Sequence, residues 1–330
     1  MLSDAVSNNE IDNGTDYYIK GPDDEKFTFG DSDKNIFTGQ VTDMRSLFSG
    51  EENFNADIGY WDVGNVETMR SMFQNAESFN TSIGDWDTSN VMNMRQIFWN
   101  AESFNQDIGD WETHNVTNMR RVFSGAESFN QDIGNWNVSS VTNMGDMFAD
   151  ASSFNQDIGD WDVSSVTEMA GMFLSASSFN QDLDKWNVSQ VQSVTDITHS
   201  WNAQRGMFRG ASSFNGSVAG WDFKNVGDLR SLFRDTSNFS HPSIQEIGVS
   251  AGSSYEGVFT GSGVNNMEVD LSCWCTEGVD NRSDGGNWAG NLRWELDEDY
   301  QEEPQWGECP DESASGENCC EKFPNLPRCD

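Results

Sequence analysis

Positive charge is what this sequence has least of. Eighteen Lys and Arg stand against 55 Asp and Glu, a formal net charge of −37. A surface that acidic repels nucleic acid and anionic membranes, so neither is expected as a partner. It favours cations and basic partners, and its self-repulsion is screened by salt. Histidine is scarce too. His114, His199 and His241 share no motif. There is no nucleophile elbow, no P-loop, no dinucleotide fingerprint and no His-Glu-x-x-His, and paired carboxylates are too common to single out any one. No enzyme is expected, and no cofactor unless it is calcium. No apolar run is long enough to span a bilayer, and no secretory core follows Met1, so an exported form would be a mature or trimmed chain.

Cysteine is absent until residue 273. All six then crowd into the last 60 residues: Cys273, Cys275, Cys309, Cys319, Cys320 and Cys329. An even number in a polar, acidic segment reads as a disulfide-stapled module and an oxidising compartment. Zinc is the rival reading, but Cys-x-Cys and Cys-Cys lack zinc-pair spacing and no His follows. Eight Asn-x-Ser/Thr sequons, beginning at Asn13, Asn80, Asn115, Asn137, Asn187, Asn215, Asn238 and Asn281, point to the same extracellular setting.

Aromatics, by contrast, are plentiful: 22 Phe and 13 Trp in a chain only 35% hydrophobic. They recur on a fixed period. Phe-Asn stands at 54, 79, 104, 129, 154 and 179, then at 214. A period of 25 residues implies stacked units that bury their apolar sides against one another. In the copy FNQDIGDWETHNVTNMRRVFSGAES, Val116, Met119, Val122, Phe123 and Ala126 step by three or four, which predicts a short helix. Thr117 caps it and Ser124-Gly125 stops it. A brief strand is expected near 111–116. The predicted fold is therefore an α/β repeat, a leucine-rich-repeat-like solenoid with one short strand and one short helix per turn.

Each repeat position becomes a column. Two Phe columns, the Trp column from Trp61 to Trp221 and the Met column from Met44 to Met169 are expected inside, with Ala76, Ala101 and Ala126 marking a tight place. The Asn after Phe is expected to point inward and bond the neighbouring turn, making Asn80 and Asn215 poor glycan acceptors. Asn137 and Asn187 replace Asp62, Asp87 and Asp162 in a column that tolerates charge, so they are better acceptors; Asn13 and Asn281 lie outside the repeats. The column Asp107, Asp132, Asp157 repeats a carboxylate every turn, a candidate calcium surface or simply a solvated face. Arg45, Arg70, Arg95 and Arg120 form a basic column that can pair with Glu51, Glu77, Glu102 or Glu127.

The unit FNQDIGDWDVSSVTEMAGMF, Phe154 to Phe173, resembles the BspA-like leucine-rich-repeat surface proteins over about residues 41–239. That resemblance implies a solenoid, an extracellular or cell-surface location and a role in adhesion. It carries over no catalytic residue, because the shared positions are core positions.

Three segments follow: a cap or assembly segment at 1–40, repeats at 41–262, and a cysteine-rich acidic cap at 263–330. Ten extra residues enter near 197–206, bringing Trp201 and Arg205. With Tyr17, Tyr18 and Phe27 of the first segment, these are the candidate contact residues. The expected function is a non-catalytic structural or adhesive surface glycoprotein. Its partners would be other copies of itself or a surface protein or glycan. The alternative is a calcium- or glycan-binding adhesin acting as a monomer.

Overall fold

The computed structural model describes residues 18–20, 26–28, 38–196, 205–249 and 257–266. The chain divides into two compact units, Met1–Gln156 and Asp157–Asp330. The first holds a two-stranded antiparallel pair, β1 (Tyr18–Lys20) and β2 (Lys26–Thr28), with Ile19 opposite Phe27.

From residue 38 the first unit is a pile of 25-residue turns. Along Met69–Asn75, alternate N–H groups donate to the next turn: Met69 to Asn93, Ser71 to Arg95, Phe73 to Ile97 and Asn75 to Trp99, at 2.7–3.1 Å. Residues between them, and Ala76 just after, close four-residue turns of their own: Met72 to Met69, Gln74 to Ser71 and Ala76 to Phe73. From Met69 to Ala76 each backbone N–H therefore has a partner without any helix, Arg70 using the Thr68 hydroxyl.

The expected helix over 116–126 is absent. Met119, Arg121, Phe123 and Gly125 donate to Asn143, Gly145, Met147 and Ala149 one turn on. Arg121 and Gly125 take positive φ, 59° and 71°, which a right-handed helix excludes. Stacking leaves no room either. Phe98 and Phe123, one turn apart, have ring centroids separated by 5.7 Å, while a helix with side chains is about 10–12 Å across. The spacing of three that suggested a helix comes from consecutive tight turns, each sending one side chain inward. The strand expected near 111–116 is also missing. Parallel pairing shrinks to single bridges, Asp43–Thr68–Asn93–Asn118–Asn143, a little further along the turn.

The core columns are as expected. Phe48, Phe73, Phe98, Phe123 and Phe148 are fully buried, as are Phe54, Phe79, Phe104, Phe129 and Phe154. Within a turn the two rings lie face to face, Phe98 on Phe104 at 3.8 Å. The Trp column is packing: Trp86 and Trp111 stack at 6.3 Å. Each of these indoles donates to a carbonyl of the preceding turn, Trp111 Nε1 to Ile83 at 3.0 Å and Trp136 Nε1 to Ile108 at 3.0 Å. An indole inside needs that acceptor. Where Val63 and Val138 have Thr88 and Thr113 as counterparts, the buried hydroxyls donate forward to the Glu112 and Asn137 carbonyls.

The second unit repeats the plan. Phe173 stacks on Phe208 at 5.3 Å, although 35 residues separate them, and Phe208 on Phe233 at 5.4 Å. An antiparallel pair, β3 (Thr195–Asp196) with β4 (Arg205–Gly206), joins the chain on either side of residues 197–204. Further on, β5 (Asp222–Phe223) pairs in parallel with β6 (Gly248–Val249). Phe259 adds one more ring, 6.0 Å from Phe233. Two 3-10 turns, Pro242–Glu246 and Gly263–Asn266, are the only helices among the described residues.

Candidate interaction surface

With the rings inside, function falls to the side chains on the outside of each turn. The arginine column is positioned by a local device. Two residues before each Arg, a side-chain oxygen accepts its backbone N–H: Asp43 for Arg45, Thr68 for Arg70, Asn93 for Arg95 and Asn118 for Arg120. The residue after each Arg then takes positive φ, at Ser46, Ser71, Gln96 and Arg121. Such Asx and Thr turns are common where the chain must reverse.

The guanidinium groups are neutralised unequally. Arg45 returns to its own Asp43, Nε to Oδ2 at 2.8 Å. Arg120 and Arg121 share buried Asp146 at 3.6 and 3.1 Å. Arg121 also lies over the Trp99 ring at 5.2 Å. Between them Arg70 and Arg95 follow neutral Thr68 and Asn93, and neither forms an ion pair among the described residues. Burial, and then the charges of Arg70, Arg120 and Arg121, push the Arg95 pKa down. The pairing expected with Glu51, Glu77, Glu102 or Glu127 does not occur in this unit. The carboxylates that answer the column are Asp43, in the same turn as Arg45, and Asp146, one turn beyond Arg120 and Arg121.

The aspartate column is a turn cap. Asp107 and Asp132 are exposed, and each accepts an N–H from its own turn, Gly109 at 3.0 Å and Gly134 at 2.9 Å. In the second unit Asp157 does the same for Gly159 at 2.9 Å. Among the described residues, no three His, Cys, Asp or Glu side chains gather as a metal site.

The Asn column does link turns, but on the outside. Asn105 Oδ1 accepts from Asn130 N and Gln131 Nε2, both at 2.9 Å. Asn80 and Asn215 are exposed, so they do not point inward as expected. The reason is that the partners are backbone N–H groups at the rim of the turn, not in its core. Asn137 and Asn187 are exposed as expected, each capping its own turn by accepting from Ser139 and Ser189.

Arg205 lies half-buried in β4, opposite Asp196. Tyr18 and Phe27 are in β1 and β2. Asn13, Asn281, Tyr17, Trp201 and the six cysteines Cys273, Cys275, Cys309, Cys319, Cys320 and Cys329 fall outside the described residues. A second Asn ladder escaped notice in the sequence: Asn90 and Asn115 Nδ2 donate back to the Gly64 and Ser89 carbonyls at 2.7 and 2.8 Å. Its period was visible, but Ser140, Ser165 and Gln190 interrupt it.

Among the described residues no helix is long and apolar enough to cross a membrane. No curated protein and no solved structure matches the chain. A family model does, three times, over residues 24–123, 104–205 and 197–285. The matches together span residues 24–285, and the chain belongs to the family described as "Mycoplasma protein of unknown function, DUF285".

Proposed function

We propose that the chain is a non-catalytic scaffold displayed outside the cell, serving adhesion or the construction of a surface layer or fibre. Its turns are read as a leucine-rich-repeat-like, BspA-type solenoid stack within each unit. One observation carries the reading. The recurring apolar positions are consumed by the core, the recurring Asn and Asp positions by bonds along and between turns, and what remains is a set of charged ladders on exposed faces. A surface of that kind binds by repetition and charge. The cysteine-rich end and the sequons at Asn137 and Asn187 support an extracellular, glycosylated form.

The test is made on intact source cells. Brief external protease treatment is expected to remove the protein while cytosolic markers survive. Peptide mapping of the untreated protein is expected to find glycan at Asn137 or Asn187. A chain that resists the protease until the cells are lysed refutes the reading.

A further inference from the structure

We propose that Arg70 and Arg95 form a docking ladder for a second copy of this chain, and that they receive Glu102 and Glu77 of that copy. The proposal rests on the scaffold reading and says what one face of the scaffold binds.

Arg45, Arg70, Arg95, Arg120 and Arg121 are all the positive side chains of residues 38–156, in a stretch rich in Asp and Glu. They are gathered in one column and the place beside it. Like charges one turn apart repel, so such a column needs an answer. At its ends the answer is internal, from Asp43 and Asp146. In the middle there is none. Arg95 Nε is buried with no acceptor, although a buried donor ordinarily has one. An anion with two oxygens suits a guanidinium fork.

The same repeat supplies a carboxylate column. Glu52, Glu77, Glu102 and Glu127 are exposed, and their side chains form no ion pair among the described residues. Both columns advance by one turn, and across these turns the rings are spaced evenly: Phe73 to Phe98 and Phe98 to Phe123 are each 5.7 Å. A glutamate ladder from a second copy therefore matches the arginine ladder step for step, because one repeat made both. A foreign acidic surface has no reason to share that pitch. In an antiparallel pair about a twofold axis, Arg70 meets the partner's Glu102, and Arg95 meets the partner's Glu77. The same two contacts then recur with the roles exchanged. Trp99, half-buried under Arg121, places an aromatic beside the cationic patch, a composition enriched at the centres of interfaces.

Sedimentation of the full chain at about 0.15 M salt, where the Debye length is about 8 Å, tests this. The native chain is expected to associate with rising concentration. Arg70→Glu/Arg95→Glu and Glu77→Arg/Glu102→Arg are each expected to associate on the order of tenfold more weakly or worse. Mixed in equal amounts, the two variants are expected to associate again, which also shows that both are folded. The milder Arg70→Gln/Arg95→Gln variant is expected to lie between native and reversed. A native chain that stays monomeric overturns the proposal, as do reversed variants that associate like the native chain or a mixture that fails to recover. If the monomeric chain instead binds polygalacturonate through Arg70 and Arg95, the second-copy proposal falls while the scaffold reading stands. The protease experiment on intact cells decides the scaffold reading independently.

Discussion

Gly109 is a sharp place to test how tightly the turns are stacked. A Cβ built there would sit 2.8 Å from the Asp132 carbonyl oxygen of the next turn and 3.3 Å from Asp107 Oδ1. The carbonyl is backbone and cannot swing aside, so Gly109→Ala must push two turns apart. Overpacking of this kind costs about 1–3 kcal/mol. Removing a glycine returns about 0.4–1 kcal/mol by stiffening the unfolded chain. The net is a loss centred near about 1.3 kcal/mol, within a span of about 0–2.6. A unit of this size shifts by about 2–4 °C per kcal/mol, so the melting temperature falls by about 3–5 °C at that centre. Gly84→Ala, whose Cβ would lie 2.6 Å from the Asp107 carbonyl oxygen, is expected to behave alike. Gly64→Ala is the control. Its Cβ meets only the Asp87 and Asp62 carboxylate oxygens, at 3.2 and 3.5 Å, and side-chain ends can move. It keeps the same unfolded-chain gain with little clash to offset it, so its stability is expected to change by no more than about 1 kcal/mol and not to fall as that of Gly109→Ala does. Calorimetry of the three variants decides. If Gly109→Ala and Gly84→Ala melt with Gly64→Ala, the close stacking of turns is wrong. The chain already carries two exceptions to the glycine series, Asp184 and Ala219. Asp184 occupies the column where the next turn begins 35 residues on, and there the Ser217 carbonyl instead accepts from Leu183 N–H at 2.8 Å.

Phe98 lies among Phe73, Phe104, Trp111 and Phe123, so Phe98→Ala is expected to cost about 3–5 kcal/mol, read from urea unfolding of the first unit. Asn105→Ala removes the acceptor of Asn130 N–H and Gln131 Nε2 at an accessible rim, where water substitutes in part; a loss of about 0.5–1.5 kcal/mol is expected in the same assay. The Asp162 carboxyl is held below the ordinary aspartate value of 3.8 by hydrogen bonds from the Ser164 hydroxyl and then its backbone N–H. A depressed folded pKa gives stability that is full above 3.8 and is lost as pH falls through the lower folded value. Ser164→Ala is expected to move the Asp162 titration, followed by NMR, upward toward 3.8; an unmoved titration refutes the assignment.

The sequence made the core legible and the backbone path only partly so, for one physical reason. A buried ring needs the same neighbours every turn, so Phe, Trp, Met and Ala columns repeat with little variation and can be read as interior. The path between them obeys a weaker rule. Val116, Met119, Val122 and Ala126 are spaced as a helix would space them, yet a run of tight turns closed three residues apart yields the same pattern. What separates the two is the positive-φ position, held by Ser46, Ser71, Gln96, Arg121 and Asp146 in successive turns. A glycine column there would have announced the turn. Ser, Gln and Arg conceal it, because hydrogen bonds to the adjoining turns hold them in a conformation they do not favour alone. The surface follows the same logic. An exposed column shows its period in the sequence but not its partner. The Asn105 ladder was expected inside because it follows a core ring, and it lies at the rim because its partners are rim amides. The arginine column was expected to find glutamates of its own copy. Asp43 and Asp146 answer its ends instead, leaving Arg70 and Arg95 opposite nothing in the described chain. A repeat that uses its apolar columns for the core and its Asn and Asp columns for bonds along and between turns, yet leaves two complementary ladders open at the same pitch, has its remaining specificity on its outside.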